Sequence, residues 1–332
     1  MIGSGSIEVE RKEVAILRVL NESPDTAIGA RVLARKLEKH GINLTERAVR
    51  YHLKLMDERG LTQSVGRDGR QITPAGVEEL RNALVADKVG LFSNRIELVS
   101  FRTTFDWRNV SGFVPTNLSL FDKKDFPEAL KAMRSAFKSG ISVGDLVSVA
   151  SEGETLGDRA IPKGKVGFAT VCSAIVAGAL LKAGVPMSSR FGGILQIRDY
   201  EPLRFAELIH YSGTSLDPSE VFIRGKMTNV SEAAKKGEGK VLANYAEIPA
   251  QCKSLADEMI ARLKEARLGS LAVMGNVGES ICEVPVEPNR IGVILFGGLN
   301  PVAAAEEAGT EAENTSICSV LDYGRLKSFW EL

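Results

Sequence analysis

The chain has 332 residues, of which 44% are hydrophobic and 25% are charged, and its 42 basic side chains balance its 42 acidic ones. This composition is typical of a soluble globular protein, excludes a largely disordered chain and predicts two or three domains. Because the formal net charge is zero, no field of the whole molecule attracts nucleic acid, and any basic surface must be local.

Membrane, secretory and metal-dependent classes find little support in the sequence. The longest uncharged apolar run, Val166 to Leu181, is shorter than the roughly 20 residues that span a bilayer. The N-terminus lacks the apolar stretch of a signal peptide, so we expect a cytoplasmic protein without membrane contact. The four cysteines form no C-x-x-C pair and only three histidines are present. We therefore expect neither a disulfide framework nor a metal site.

Residues 1–86 have the pattern of a winged helix-turn-helix domain. Apolar periodicity and stop signals predict three helices: Val9–Asn21, Ala30–His40, and a third that begins at the N-cap Thr45 and ends at Gly60. Two short alternating runs, 61–65 and 71–73, flank the turn 66–70 and predict a hairpin. Pro74 then fits the first turn of a fourth helix. Helix, helix, helix, hairpin and helix is the order of a winged helix.

The charge of this region favours binding to double-stranded DNA. Residues 27–72 carry ten Lys and Arg against five Asp and Glu. A recognition helix in the major groove, with a wing on the backbone, needs long donors on one helix face and at the hairpin tip. The candidate DNA-binding residues are Arg47, Arg50, Tyr51 and Lys54 on the third helix, His52 to one side of that face, and Arg67 and Arg70 at the wing. The alternatives are a solvated basic face without a partner, or a winged helix that binds protein.

The remainder of the chain contains an internal duplication. Residues 144–185 align without gaps onto residues 269–310, with eight identities in 42 positions. We predict a packed connector over 87–109, then an α/β regulatory domain over 110–332 with repeat halves at 110–223 and 236–332. Each half is expected to contain a helix, a strand, a Gly-Glu turn, a buried strand, a small-residue turn and a second helix.

The two small-residue turns are candidates for an anion site. Each carries the chain from a buried strand (166–171 or 291–296) into a helix, whose first N–H groups have no partner within the helix. If both helix ends faced one cleft, they could hold a ligand with two carboxylates. The candidate residues are Cys172, Ser173, Gly297, Gly298, Asn300 as a possible cap, and Arg190 beside a Gly pair. The alternative is a pair of structural turns that use Gly and Ser for tightness.

Two other features of this domain stay open at the level of sequence. Cys172 stands at a helix start, where we expect its pKa to be lowered. The segment 211–218 offers hydroxyl groups that are either ligand groups or parts of a plain turn. No catalytic motif, nucleotide-binding Gly pattern or metal cluster is present. We therefore expect a protein that is not an enzyme, although an enzyme fused to a DNA-binding domain is the competing class.

Four segments resemble the NrpR family of nitrogen-responsive transcriptional repressors from archaea and some bacteria. They are R-A-V-R-Y-H-L at 47–53, F-G-G-I-L-Q-I at 191–197, G-T-S-L-D-P-S-E-V-F-I at 213–223 and G-G-L-N-P-V-A-A at 297–304. The resemblance implies that the chain binds operators of nitrogen-assimilation genes and releases them when 2-oxoglutarate, its effector, binds. No other cofactor is implied.

The assembly and the effector follow from the same resemblance. Some family members carry two copies of the regulatory domain, whereas this chain has length for one. A homodimer or a higher homo-oligomer would place two recognition helices on a palindromic operator. The six candidate residues of the anion site would then contact 2-oxoglutarate. A sensor of another metabolite, such as an amino acid or a phosphosugar, is the alternative.

Overall fold

The structure of the chain is a computed structural model that describes residues 4–24, 26–39, 41–83 and 89–332. Contacts between Cα atoms separate it into two units, Met1–Lys88 and Val89–Leu332. The expected end of the second helix at His40 and the expected boundary between residues 86 and 87 lie outside the described residues.

The first unit has the element order of a winged helix. Its elements are α1 (Ser4–Asn21), α2 (Ala30–Lys39), α3 (Glu46–Glu58), β1 (Thr62–Ser64), β2 (Arg70–Ile72) and α4 (Pro74–Asn82). Thr45 caps α3, since its Oγ1 accepts the Ala48 N–H at 3.2 Å. Thr73 caps α4 in the same way, through the Gly76 N–H at 3.1 Å. The predicted order is confirmed, although α1 begins at Ser4 rather than Val9.

The second unit opens with α5 (Leu91–Arg102) and continues with the two halves. The first half comprises β3 (Phe113–Asp122), α6 (Phe126–Ser139), β4 (Leu146–Ala150), β5 (Thr155–Leu156), β6 (Arg159–Ala160), β7 (Lys165–Val171), α7 (Ala174–Lys182), β8 (Ser188–Arg198), β9 (Glu201–His210), α8 (Pro218–Arg224) and α9 (Val230–Lys236). The second half comprises β10 (Gly239–Pro249), α10 (Lys253–Glu265), β11 (Leu271–Val277), β12 (Arg290–Phe296), α11 (Asn300–Glu307), β13 (Ala312–Asp322) and β14 (Lys327–Ser328).

Ten of these strands form two five-stranded antiparallel sheets in which the halves exchange strands, while β5 and β6 pair separately. One sheet has the order β13-β3-β7-β4-β14 and the other the order β11-β12-β10-β8-β9. In each half the third main strand lies between the first and the second. The strand after the second helix then crosses to the other half: β8 pairs with β10, and β13 pairs with β3. The first strand of each half, β3 or β10, therefore has one neighbouring strand from its own half and one from the other half.

The element positions agree with the duplication found in the sequence. The buried strands β7 and β12 begin at Lys165 and Arg290. The distance in sequence between these two residues equals that between the starts of the aligned segments, residues 144 and 269. The Gly-Glu turns are also equivalent, because Gly153 and Gly278 both have positive φ, +83° and +68°. That region favours glycine, which lacks the Cβ that would clash there.

The core of the second unit joins both halves. Helix α6 packs against α11, and α7 packs against α10, so each helix pair takes one member from each half. Two large clusters of buried apolar residues each include side chains from strands of both sheets.

Among the described residues, no helix is long and apolar enough to cross a membrane. That part of the chain also holds no group of three or more His, Cys, Asp or Glu that could bind a metal ion.

Asn300 fixes the start of α11 to the middle of β10. Its side chain is fully buried; Oδ1 accepts the Leu242 N–H at 2.8 Å and Nδ2 donates to the Leu242 carbonyl at 2.9 Å. Gly297, three residues before the start of α11, donates its N–H to the same carbonyl at 2.8 Å. The turn before α11 is thereby bound to a strand of the same half.

We expect Asn300→Ala to lower the free energy of unfolding by about 2–3 kcal/mol, because it leaves the Leu242 N–H without an acceptor. The measurement is urea-induced unfolding followed by circular dichroism. Asn276→Ala is the matched control, since that side chain donates to Glu279 on an exposed turn, and it should change stability by less than about 0.5 kcal/mol. Equal stability of the two variants would contradict the role of Asn300.

Candidate functional site

The first unit presents a basic face on α3. Arg47, Arg50, Tyr51 and Lys54 are all exposed, and Tyr51 keeps 60% of its surface. Among the described residues, Arg47 has no ion pair, whereas Arg50 is held by Glu46 at 2.5 Å. Opposite this face, Val49, Leu53 and Met56 are buried in the domain core. The spacing of the four exposed residues therefore places them on one surface, as the sequence predicts.

His52 and Arg70 do not belong to this free surface. His52 is 5% exposed, with Nδ1 3.8 Å from the buried Glu13 carboxylate, and its burial lowers its pKa. It lies one residue beyond the exposed face, on the side of α3 that packs against α1. Arg70 begins β2, behind the hairpin tip, where its Nε donates to Asp57 at 3.1 Å. A DNA contact from His52 is therefore contradicted, and Arg67 is the exposed arginine of the wing.

The second unit contains a cleft where the two duplicated strand–helix turns meet. It has a volume of about 50 Å³ and lies beside α5 and β13. Four of the six residues predicted for an anion site line it, namely Cys172, Ser173, Gly297 and Gly298. Apolar walls come from residues that the prediction did not include: Phe92 and Ile96 of α5, Met187, Leu295 and Ile317.

Backbone N–H groups at both turns are available to a ligand. The N–H groups of Ser173, Gly298 and Leu299 have no hydrogen-bond partner among the described residues. Ser173 and Gly298 are equivalent positions of the duplication, each preceding its helix. The approach of the two turns is close, because a Cβ on Gly298 would lie 2.1 Å from the Val171 carbonyl oxygen. Two helix N-termini thus contribute positive potential to one cleft.

A chain of polar side chains lies across the cleft. Tyr211 donates its hydroxyl to Asn244 Oδ1 at 2.6 Å, and Asn244 Nδ2 donates to Ser173 Oγ at 2.9 Å. Ser173 Oγ accepts from Asn244, and the Ser173 side chain also forms a hydrogen bond with the Cys172 thiol. Tyr211 belongs to the segment 211–218, so this part of the chain supplies groups to the cleft. Asn244 lies on β10, and no sequence signal marked it.

Two buried polar atoms at the cleft lack partners. Asp217 caps α8 through Oδ1, which accepts the Ser219 N–H at 2.8 Å, whereas its Oδ2 is buried without a hydrogen bond. Ser316 Oγ of β13 is buried without one as well. Burial, helped by the charge of Glu220, raises the pKa of Asp217 to about 7. Among the described residues that line the cleft there is no Lys, Arg or His.

Arg190 and Asn300 lie outside this cleft lining, which contradicts their predicted roles. Arg190 donates to the buried Glu247 carboxylate at 2.7 Å and to Glu287 at 2.5 Å. Its charge is therefore engaged by two carboxylates that lie far away in sequence. Asn300 uses its amide on Leu242, as described above, and has none of its surface exposed.

The expected lowering of the Cys172 pKa is also wrong. Burial raises the pKa of its thiol to about 11, which outweighs the opposing hydrogen bonds from the start of α7. The thiol is therefore neutral at physiological pH and forms part of the apolar wall. Desolvation of the charged form exceeds the effect of one helix terminus here.

Comparisons with known proteins agree with the two units. The family model described as NrpR regulatory domains NRD1 and 2 matches residues 89–328. A model described as the ribonuclease R winged-helix domain matches residues 14–80. A solved structure, a nitrogen repressor-like protein from Methanococcus jannaschii, aligns with a TM-score of 0.60 at 24% identity, over 73% of this chain and 98% of that one. At this low identity, the similarity to the solved structure shows the fold of this chain and nothing further.

Three curated relatives have similar sequences over nearly the whole chain. A global nitrogen regulator NrpRI from Methanosarcina mazei is 39% identical over 96% of this chain and 98% of its own length. Global nitrogen regulators NrpR from Methanococcus maripaludis and Methanocaldococcus jannaschii are 33% and 32% identical over 95% and 98% of this chain. The chain spans 55% and 56% of those two relatives, about half of their length.

A winged helix joined to a regulatory domain defines the class of DNA-binding transcriptional regulators. Within that class, the chain belongs to the NrpR family of nitrogen regulators. Its relatives are named as regulators and not as enzymes, so the expectation that this chain is not an enzyme is confirmed.

The ion pairs of Arg190 support a prediction about stability. Burial of Glu247 by itself would raise its pKa, but hydrogen bonds from Arg190 and Tyr245 outweigh this and hold the pKa below its ordinary 4.5. A lowered carboxyl pKa stabilises the folded state above pH 4.5, and this contribution is lost as the pH falls through the pKa of the folded state.

We expect Arg190→Ala to lower the free energy of unfolding at pH 7 by about 1–3 kcal/mol, since Arg290 still lies 3.6 Å from Glu247. The difference from the unsubstituted protein should shrink as the pH falls below 4.5. Urea unfolding at pH 7, 5 and 4 measures both effects. Arg204→Ala, which removes an exposed pair with Glu283, is the control and should show neither. A loss for Arg190→Ala that is independent of pH would contradict this assignment.

Proposed function

We propose that this chain is a nitrogen-responsive transcriptional repressor whose winged helix binds operator DNA and whose cleft binds 2-oxoglutarate. Effector binding releases the operator. The observation that carries the proposal is the meeting of two equivalent helix starts, with unpartnered N–H groups, in one cleft of a chain from a family of nitrogen regulators.

The exposed face of α3 supports the DNA-binding part. Arg47, Tyr51 and Lys54 project from one surface, and Arg67 stands exposed in the wing. Long donors on a recognition helix reach base edges and phosphates in the major groove, and a wing arginine reaches the backbone. A homodimer with two such helices would read a palindromic operator of two half-sites.

The cleft supports a small anionic effector of a particular shape. The N–H groups at Ser173 and at Gly298 suit one carboxylate each, because helix starts stabilise negative charge. The apolar walls from Phe92, Ile96 and Ile317 suit a short methylene chain between them. 2-Oxoglutarate combines two carboxylates with such a chain.

Helix α5 is the element through which the effector can influence the first unit. It is the first helix after the boundary between the units, and it contributes Phe92 and Ile96 to the cleft wall. The Phe92 and Tyr211 rings are 5.1 Å apart, and Gly90 donates its N–H to the Thr214 carbonyl at 2.9 Å. An effector that contacts Tyr211 and Phe92 differently in two states biases the position of α5.

The DNA-binding face is tested by Arg47→Ala and Lys54→Ala. Each should weaken operator binding by about tenfold, and the loss of a phosphate contact should reduce the slope of log affinity against log salt by about one. Fluorescence anisotropy with labelled operator DNA at several salt concentrations measures both. Arg18→Ala removes an exposed charge from α1 instead and should leave both unchanged. Unaltered binding by both α3 variants would argue against this interface.

The effector cleft is tested by Gly298→Ala, in which the new methyl group would meet the Val171 carbonyl and Asn117. We expect operator affinity to persist while release by 2-oxoglutarate needs at least about a hundredfold more effector, equivalent to about 2.7 kcal/mol. Glutarate and glutamate are the ligand controls.

Gly213→Ala is the matched protein control, because a Cβ there meets nothing within 4 Å. It should respond to 2-oxoglutarate like the unsubstituted protein. Thermal unfolding of both variants separates a local effect from misfolding. If the unsubstituted protein binds its operator but ignores 2-oxoglutarate, the repressor proposal survives with another effector. If it shows no specific DNA binding, the proposal fails.

A further inference from the structure

Asp217 stands out among the groups that line the cleft because it is a buried carboxyl that forms no ion pair among the described residues. It is 6% exposed, and no ion pair joins it to a basic side chain in the described part of the chain. One oxygen, Oδ1, is occupied as the cap of α8. The other, Oδ2, has no hydrogen-bond partner and belongs to the cleft lining. A buried polar atom without a partner calls for an explanation, and a bound ligand supplies one.

The electrostatics of the cleft make the protonation state of Asp217 decisive. The sources of positive potential in the lining are the two helix starts, since no basic side chain lies there among the described residues. An ionised Asp217 close to a ligand carboxylate would repel it, because like charges interact strongly where water is excluded. A protonated Asp217 would instead donate a hydrogen bond to that carboxylate.

We infer that Asp217 is a specificity-determining residue of the cleft. Its side chain is a neutral carboxylic acid when the effector binds, and it donates a hydrogen bond from Oδ2 to a carboxylate oxygen of the effector. The inference rests on the proposed function, because it assumes that an anionic effector occupies this cleft. It adds that the effector and one proton bind together. Ser316 Oγ, the other unpartnered atom of the lining, is placed to share the same oxyanion.

The groups around Asp217 agree with an acid that is protonated when the anion arrives. Burial and the Glu220 carboxylate of α8 raise its pKa to about 7, against the charge of Arg95 from α5. The thiol of Cys172 and the hydroxyl of Tyr211 face it from the other elements, and burial raises the pKa of both groups, so they stay neutral. A bound anion raises the pKa of Asp217 further. Affinity is therefore highest below pH 7 and falls as the pH rises through it.

The test is calorimetric titration of the full-length protein with 2-oxoglutarate between pH 6 and 8, in two buffers of different ionisation enthalpy. We expect uptake of up to about 0.5 proton per effector at pH 7, rising toward about one at pH 8, with affinity that falls by up to about tenfold per pH unit above pH 7. Asp217→Asn keeps the cap, since Asn is also a good N-cap residue, and its amide donates permanently. This variant should bind 2-oxoglutarate without proton uptake and with little dependence on pH.

Glu220→Gln provides a second readout, because it removes the like charge nearest to Asp217. The pH at which affinity begins to fall should move downward, whereas a purely structural role of Asp217 would leave it in place. Binding without proton uptake by the unsubstituted protein overturns the inference alone. So does uptake by Asp217→Asn equal to that of the unsubstituted protein, or loss of binding in Asp217→Asn with unchanged thermal stability. Absence of 2-oxoglutarate binding at every pH overturns the choice of effector in the proposed function and this inference with it, but leaves the operator-binding part of that proposal standing.

Discussion

The exchange of strands between the two halves is the constraint on which the second unit depends. Because β8 completes the sheet around β10, and β13 completes the sheet around β3, neither half has a finished sheet without the other. The same exchange carries both strand–helix turns to one place, where Gly298 lies against the Val171 carbonyl. The cleft therefore lies at the junction of the halves, and the meeting of two helix starts in it is a consequence of the duplication.

Local patterns in the sequence predicted individual helices and strands, because each of them is formed by one continuous segment of the chain. The buried strands and the helices after them were found because an apolar run and an apolar stripe are local signals. The winged helix was found for the same reason, down to the cap Thr45 and the helix start at Pro74. The exchange was missed, since the pairing of β13 with β3 joins residues about 200 positions apart, and no local pattern records such a pairing.

The site residues show the same limit at the level of single side chains. Arg190 is a plausible anion ligand in the sequence, but its partners Glu247 and Glu287 are 57 and 97 residues away and are visible only in the fold. His52 fails for a different reason: on a helix, one position of sequence is a rotation of about 100°, which here separates the solvent face from the core. For Cys172, the sequence shows the helix start, which lowers the thiol pKa, but it does not show the burial, which raises that pKa by more.

Release of an operator requires a difference in effector affinity between two states, and the contacts of α5 suit such a difference. A hundredfold loss of operator affinity corresponds to about 2.7 kcal/mol of coupling. The cluster that ties the start of α5 to the cleft contains three buried side chains, Phe92, Ile96 and Tyr211. It is much smaller than the two clusters that join the sheets. The proposed effector, bound against Tyr211 and Phe92, would therefore act on this small cluster rather than on the two large clusters that join the sheets.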